Sequence, residues 1–217
     1  MRNTKVMKKL TKEIVVVHWM INGIEDFLFA FDIDNPRFSR KQSFFYAMGL
    51  EKICKSFLLA SNSYQYEGLT VNKANKKIIE LAKCWGHKIS TMLEAIKLIV
   101  YDPQFTELFN KKYILFNNAK QLIDVIEKAN GECRYPVSNP SYKKFPIPGT
   151  KDGYWDPHYS SDFGKLCVDF SLKIISYVEK IYKISISEEE LNIFREGDLG
   201  KRFDNVFLSR ISRIHKN

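Results

Sequence analysis

The segment FFYAMGLEKICKSFLLA, residues 44–60, carries the pattern that decides the fold class. Its apolar residues recur at three- and four-residue steps, which is the spacing of an amphipathic α-helix and not of a β-strand. Ser39 or Ser43 can cap the N-terminus of this helix, and the pattern continues to about Leu59. We therefore predict a helix whose buried side includes Phe45, Met48, Ile53 and Phe57.

The residues before this segment predict another helix. Thr11 can serve as its N-cap, the helix continues to Phe31, and the stretch from Asp32 to Pro36 ends it. Its apolar residues again recur at three- and four-residue steps. These residues are Ile14, Val17, Ile21, Ile24, Leu28 and Phe31.

A third helix is predicted after a short loop. Residues 61–63 and Gly68 are typical of a loop, and Gly86 is a natural C-terminal stop for a helix. Between them, the stretch from about Lys73 to Cys84 carries apolar residues on one side and lysines on the other. The apolar residues are Ala74, Ile78, Leu81 and Ala82.

The middle of the chain predicts two more helices. One begins at about Ile89 and ends near Asp102 and Pro103, because proline disfavours helical backbone in the residue before it. A long amphipathic segment from Thr106 to Ala129 then continues the bundle until Gly131. Sustained alternation of period two is missing from the sequence, so no sheet is predicted.

Residues 131–159 interrupt the helical pattern. They hold five of the seven prolines together with Gly149 and Gly153, and such a stretch cannot form a bundle helix. A loop of this length is either functional or packed by its own aromatic side chains, and the sequence leaves both interpretations open. The aromatic residues include Tyr135, Tyr142, Phe145, Tyr154 and Trp155.

The last part of the chain predicts helices again. Ser160 or Ser161 can cap a helix that continues to about Tyr182 on regularly spaced apolar residues. Ser187 is followed by three glutamates and begins a further helix, because acidic side chains are favoured in the first turn. The whole chain is therefore predicted to be an all-α bundle.

Length and composition indicate one soluble, cytoplasmic domain. The 217 residues suit a single domain, and 45% hydrophobic residues supply enough apolar surface for a core. We expect no membrane span, because the most apolar stretch, from Ile14 to Phe31, is interrupted by polar residues such as Glu25 and Asp26. Four scattered cysteines without a paired spacing suit a reducing cytoplasm.

The chain carries a formal net charge of +9, from 34 Lys and Arg against 25 Asp and Glu. A field of that sign raises the local concentration of polyanions, which favours nucleic acid or an acidic protein as a partner. A composition rich in lysine, isoleucine and asparagine can also reflect nucleotide bias in a genome. The serine nucleophile elbow, the phosphate-binding glycine loop and the HExxH zinc motif are all missing, which narrows the enzyme classes.

Cys84 and His87 have the Cys-x-x-His spacing of a zinc-binding pair. Cys133, His158 or Cys167 can complete a set of four ligands, but the sequence holds no second closely spaced pair. We therefore expect no metal and no other cofactor.

Three motifs resemble those of the HEPN domain family, whose name refers to nucleotide binding in higher eukaryotes and prokaryotes. Residues 44–60 resemble its aromatic-A-x-x-x-E-K-x-x-K-x-x-L signature. The stretch WGHKISTML, at 85–93, is similar to its G-H-D-L-x-x-L element, with Lys88 where aspartate is common. The stretch CRYP, at 133–136, resembles the R-Y-P that follows the long central helix in many members.

The resemblance covers residues 38–184 and implies a four- to five-helix up-and-down bundle that usually forms a homodimer. A helix at 1–37 and an extension at 185–217 lie outside the family pattern. The family is divided between metal-independent ribonucleases and members without catalysis. The resemblance therefore implies a protein that acts on or binds RNA, as in toxin–antitoxin or phage-defence systems. The alternative is a non-catalytic module that binds a nucleotide or a partner protein such as a nucleotidyltransferase.

Ribonucleases of this family carry an Arg followed by four to six residues and a His. This spacing puts both on one helix face, where Arg holds phosphate oxygens and His exchanges protons with the ribose 2′-hydroxyl. In this chain the pair that the resemblance implies is Arg210 and His215, in the stretch RISRIH. Ile211 replaces the usual polar residue, so the alternative interpretation is simply the last basic turn of a helix.

A binding surface provides the second set of candidate residues. Cations contact phosphates, and aromatic rings stack on bases. The candidates for nucleotide or RNA binding are Arg134, Tyr135, Lys52, Lys55, His87 and Lys88. A bundle whose positive charge has no specific ligand is the remaining interpretation.

Overall fold

A computed structural model describes residues 9–33, 39–113, 116–124, 127 and 157–186. Within these ranges the fold is all-α, as predicted, with no strand beyond an isolated bridge between Lys9 and Thr70. The helices are α1 (Lys12–Asp32), α2 (Ser39–Ser61), α3 (Val71–Trp85), α4 (Ile89–Val100), α5 (Pro103–Asn110), α6 (described over 119–124) and α7 (Pro157–Tyr182).

Helix α2 lies at the centre of the bundle and packs against α1, α3, α4 and α7. All of its residues from Ile53 to Ala60 are buried. A helix that is buried on every side has neighbours around its whole circumference, and this explains why the apolar pattern of residues 44–60 is so dense. The largest buried side chains in and around it include Met20, Phe27, Leu50, Phe57, Met92 and Phe170.

Two glycines allow α1 and α2 to approach closely. A Cβ atom on Gly49 would lie 2.8 Å from the carbonyl oxygen of Gly23, and one on Gly23 would lie 2.9 Å from the carbonyl oxygen of Gly49. Backbones this close leave no room for a side chain on either residue. The contact holds α1 against the face of α2 that carries Lys52, whose ammonium lies 2.7 Å from Asp26 of α1.

The start of α1 agrees with the prediction in its cap and differs in one part of its buried face. The hydroxyl of Thr11 accepts a hydrogen bond from the Ile14 amide at 3.4 Å, so Thr11 is the N-cap. The Ile14 side chain, however, is 58% exposed, because Val15 and Val16 face the core at this end of the helix. At this end the buried face is therefore shifted toward Val15 and Val16, whereas Val17, Ile24 and Leu28 are buried as predicted.

The predicted continuous helix over 106–129 is wrong. Helix α5 ends at Asn110, and the next helical residue that the structure describes is residue 119. The side-chain oxygen of Asn118 accepts a hydrogen bond from the Gln121 amide at 3.0 Å, which caps a new helix. Asparagine is favoured at such caps over helix interiors, so Asn118 starts a second helix, although the apolar spacing alone predicted a single continuous helix.

Helix α7 begins at Pro157, before the two serines that were predicted to cap it. Proline suits the first turn of a helix, where its missing N–H would have no partner in any case. The helix ends at Tyr182 as predicted, and Lys183 follows it with a left-handed φ of 59°. Residues 131–156 of the predicted loop and the predicted helix from Ser187 lie outside the described residues.

Among the described helices, α1 is long and apolar enough to cross a membrane by length and composition alone. Of its most apolar window, 56% is buried inside the molecule. The core helix of a soluble protein passes the same test.

Candidate functional site

Glu51 and Lys55 of α2 form an ion pair in the interior of the bundle. The Lys55 Nζ donates a hydrogen bond to the Glu51 Oε1 at 2.8 Å, and the two side chains are only 5% and 4% exposed. Their spacing of four residues puts them on one helix face. The ammonium also lies 6.0 Å from the centre of the Trp19 ring of α1, so the pair is enclosed by apolar groups.

His87 reaches this pair from the turn between α3 and α4. Its Nδ1 lies 2.9 Å from the same Glu51 oxygen, and its side chain is 53% exposed. The turn contains Gly86, whose φ of 59° favours glycine. Glu51 and His87 are 36 positions apart in the sequence and are nevertheless in direct contact.

The carboxylate of Glu51 sets the protonation pattern of the imidazole. A carboxylate only accepts hydrogen bonds, so the His87 Nδ1 carries the proton that it donates to Glu51. In the neutral ring Nε2 is then the basic nitrogen. The ring is thus supported by buried groups on its Nδ1 side while half of the side chain faces solvent.

Lys52 belongs to a different contact. Its Nζ lies 2.7 Å from Oδ2 of Asp26 and 3.3 Å from the carbonyl oxygen of Asn22, both on α1. The Lys52 and Asp26 side chains are 23% and 12% exposed. Lys52 therefore joins α1 to α2 and does not meet His87.

Lys88 stands at the exposed edge beside His87. It occupies the N-cap position of α4, and its own side chain does not cap the helix. The Ser90 amide of the first turn donates instead to the Glu127 Oε1 at 2.5 Å, so a carboxylate already satisfies this helix end. We refer to Glu51, Lys55, His87 and Lys88 together as the α2–α4 site.

The structure brings together part of the set predicted to bind RNA or a nucleotide. Lys55 and His87 meet at one carboxylate, Lys88 follows His87, and Lys52 faces α1. The ammonium of Lys55 is buried, so it supports the site from the interior and is not the surface cation that the sequence suggested. The other predicted residues, Arg134, Tyr135, Arg210 and His215, lie outside the described residues.

The zinc ligands considered from the sequence do not assemble in the described part of the chain. No group of three or more His, Cys, Asp or Glu there is placed to hold a metal ion. Cys84 is exposed, whereas Cys167 is buried in α7, where burial raises the pKa of its thiol well above the usual value. Cys133 and the side chain of His158 lie outside the described residues.

A second polar cluster joins α5 to α7. Asp102 accepts a hydrogen bond from the Gln104 amide at 2.8 Å and another from the Tyr177 hydroxyl. The Lys173 Nζ lies 3.5 Å from Oδ2 of Asp102 and 2.6 Å from Oε1 of Gln104. These groups bind one another, so we assign the cluster a structural role.

The sequence motifs gave only part of the α2–α4 site. The spacing within E-K-x-x-K places Glu51 beside Lys55, but no local signal joins Glu51 to His87 or lays Trp19 over Lys55. Comparison of the chain with known protein families, curated proteins and solved structures found no match. The HEPN resemblance therefore stays a prediction, and the helical bundle is the part of it that the structure shows.

Proposed function

We propose that this chain is a helical bundle of the HEPN type that binds RNA, and that the α2–α4 site contacts the RNA backbone. One observation carries the proposal: the Glu51 carboxylate joins Lys55 of the E-K-x-x-K motif to His87 of the G-H motif. The resemblance treats these motifs as successive elements of one bundle, and their convergence on a single carboxylate supports a shared role.

Two groups of the site suit contacts with phosphate. Lys88 is exposed, and the His87 side chain beside it is 53% exposed. An ammonium or an imidazole N–H can donate hydrogen bonds to phosphate oxygens. Glu51 holds the imidazole in place before a ligand arrives, which reduces the side-chain entropy lost on binding. The net charge of +9 adds long-range attraction for a polyanion.

Replacing Lys88 with Glu tests this assignment. Binding of a fluorescein-labelled single-stranded RNA is measured by anisotropy at several salt concentrations, for the wild type and the variant. We expect the variant to bind more weakly. Its slope of log affinity against log salt should be shallower by about 0.7, the effect of one lost phosphate contact on a single strand.

Lys165→Glu is the matched control, because Lys165 is an exposed lysine of α7 and the charge change is the same. Equal losses of affinity in the two variants would show that net charge alone attracts RNA, and would contradict the α2–α4 site. A wild-type chain that does not bind RNA would contradict the proposed function itself. Copurification of a nucleotidyltransferase in that case would favour the non-catalytic alternative.

A further inference from the structure

We propose that the outer face of α3 rests on an anionic lipid surface, so that the protein binds membranes peripherally. The inference goes beyond the proposed function and does not use the α2–α4 site. It rests on two properties of the same face, a cluster of exposed lysines and the exposed apolar side chains that lie among them. The lysines suit the lipid headgroups, and the apolar side chains suit the boundary of the acyl chains.

The outer face of α3 is positively charged. The helix carries four lysines and a single glutamate. Lys73, Lys76 and Lys83 are exposed. The fourth lysine, Lys77, lies 3.5 Å from Glu80, and the charges of these two side chains offset each other. A cluster of this kind on an amphipathic helix is attracted to anionic headgroups.

Helix α3 lies at the edge of the bundle, where a flat surface can reach it. Within α3 only Ala74 and Ile78 are buried. They pack in the smaller group of buried side chains, together with Val15 of α1 and Leu59 of α2. The other residues of the helix are half-buried or exposed. The bundle therefore covers α3 along one narrow side and leaves its outer face to solvent.

Exposed apolar side chains lie among the lysines of this face. Ile79 follows Lys76 by three residues and precedes Lys83 by four, so the three side chains share one face of the helix. The Ile79 side chain is 53% exposed. Val71 at the start of α3 and Tyr64 in the preceding turn are exposed as well. Tyrosine is enriched at membrane interfaces, where its ring lies at the level of the headgroups.

The aliphatic side chains favour a lipid surface over RNA as the occupant of this face. Lysines contact the phosphates of either ligand, and an aromatic ring can stack on a base. An aliphatic side chain such as Ile79 gains from neither contact. The acyl boundary of a membrane, in contrast, removes its apolar surface from water. Lysines that alternate with exposed isoleucine and valine are therefore better matched to anionic lipid.

Co-sedimentation with lipid vesicles tests the proposal on the full-length protein, freed of RNA by nuclease treatment. One set of vesicles is pure phosphatidylcholine, and the other includes phosphatidylglycerol as a minor component. We expect the wild type to bind the anionic vesicles and not the neutral ones. Failure to bind the anionic vesicles, or equal binding to both sets, would contradict the proposal.

Two variants separate the roles of charge and apolar surface. Replacing Lys76 and Lys83 with Ala should weaken binding to the anionic vesicles by roughly 25-fold, because each lysine near such a surface strengthens binding about fivefold. Ile79→Gln should weaken binding by about fivefold to tenfold. The Ile79 effect should persist at high salt, because salt screens charges and not the burial of apolar surface. Circular dichroism checks that both variants are folded.

Replacing Lys165 and Lys180 of α7 with Ala is the matched control, because both are exposed lysines and the change in charge is the same. Equal losses in the two double variants would show that net charge alone attracts the protein to vesicles, and the α3 face would be wrong. If the double variant of Lys76 and Lys83 lost affinity for single-stranded RNA as strongly as for vesicles, the face would bind RNA and the lipid assignment would be overturned. The RNA measurements on Lys88→Glu involve no vesicles, so this proposal and the proposed function fail independently.

Discussion

Among single residues, Glu51 is the one on which the α2–α4 site depends. Removing a carboxylate from water costs several kcal/mol, and only close partners compensate for that cost. Lys55 and His87 provide this compensation at a single oxygen. Burial raises the pKa of the neighbouring Cys54 thiol, and the Glu51 charge raises it further. Both observations show how well this part of α2 is shielded from water.

Replacing Glu51 with Ala should destabilise the fold. The change leaves the buried Lys55 ammonium without its carboxylate, which typically costs about 3–5 kcal/mol of the free energy of unfolding. Urea titration measures this difference. The double variant Glu51→Met with Lys55→Met removes both charges and should recover most of the loss. A single variant as stable as the wild type would contradict the buried ion pair.

The sequence predicts one half of this site and not the other. Glu51 and Lys55 share a helix face by their spacing alone, so their contact needs no knowledge of the fold. The contact with His87 depends on how the turn at Gly86 is oriented against α2, which no local pattern specifies. The burial of Lys55 depends likewise on Trp19 of α1, since a lysine in an amphipathic helix is normally exposed.

Among the elements, α5 depends most on its neighbours. It is only eight residues long, and a helix this short is marginal on its own. Phe105 anchors it, with ring centroids 5.5 Å from Phe170 and 5.7 Å from Tyr177, both on α7. Asp102 adds the polar anchor, because it caps α5 and also accepts the Tyr177 hydrogen bond.

Replacing Asp102 with Asn should destabilise the protein near neutral pH and have little effect in acid. The Tyr177 hydrogen bond, followed by the Gln104 amide and Lys173, lowers the pKa of Asp102. Its stabilising effect is therefore present above about pH 4, the ordinary range of an aspartate, and is lost as the pH falls through the lower folded pKa.

We expect a difference of about 1 kcal/mol at neutral pH, the gap between a charged and a neutral hydrogen bond. Urea unfolding of the wild type and of Asp102→Asn, near neutral pH and in acid, measures this difference in the free energy of unfolding. An equal destabilisation at both pH values would show that the Asp102 charge does not hold α5 to α7.

The helix boundaries show where local chemistry is sufficient and where it is not. Thr11 starts α1 and Gly86 ends α3 as predicted, because a cap is a local hydrogen bond or a local φ angle. The gap between α5 and α6 was missed, because the apolar period continues through it. There the aromatic contacts of Phe105 fix one helix and the cap at Asn118 begins the next.

In the molecule as a whole, α1 links two groups of buried side chains. Val15 packs with Leu59, Tyr66, Ala74 and Ile78 beside α3, while Met20 and Phe27 belong to the main core around α2. The apolar residues of α1 therefore serve two separate contacts, which accounts for the unusually apolar composition of this helix. The same apolar composition gives α1, which is also long enough, the hydropathy of a membrane span.

The direction of the buried face of α1 can be tested by placing the same carboxylate at two of its positions. Met20 is fully buried, whereas Ile14, which the apolar spacing assigned to the buried face, is 58% exposed. Met20→Asp should cost more than about 4 kcal/mol, because it buries an unpaired charge, and Ile14→Asp should change stability by no more than about 0.5 kcal/mol. Thermal unfolding followed by circular dichroism compares the two purified variants. If Ile14→Asp were as damaging as Met20→Asp, Ile14 would belong to the buried face, and the observed shift toward Val15 and Val16 would be wrong.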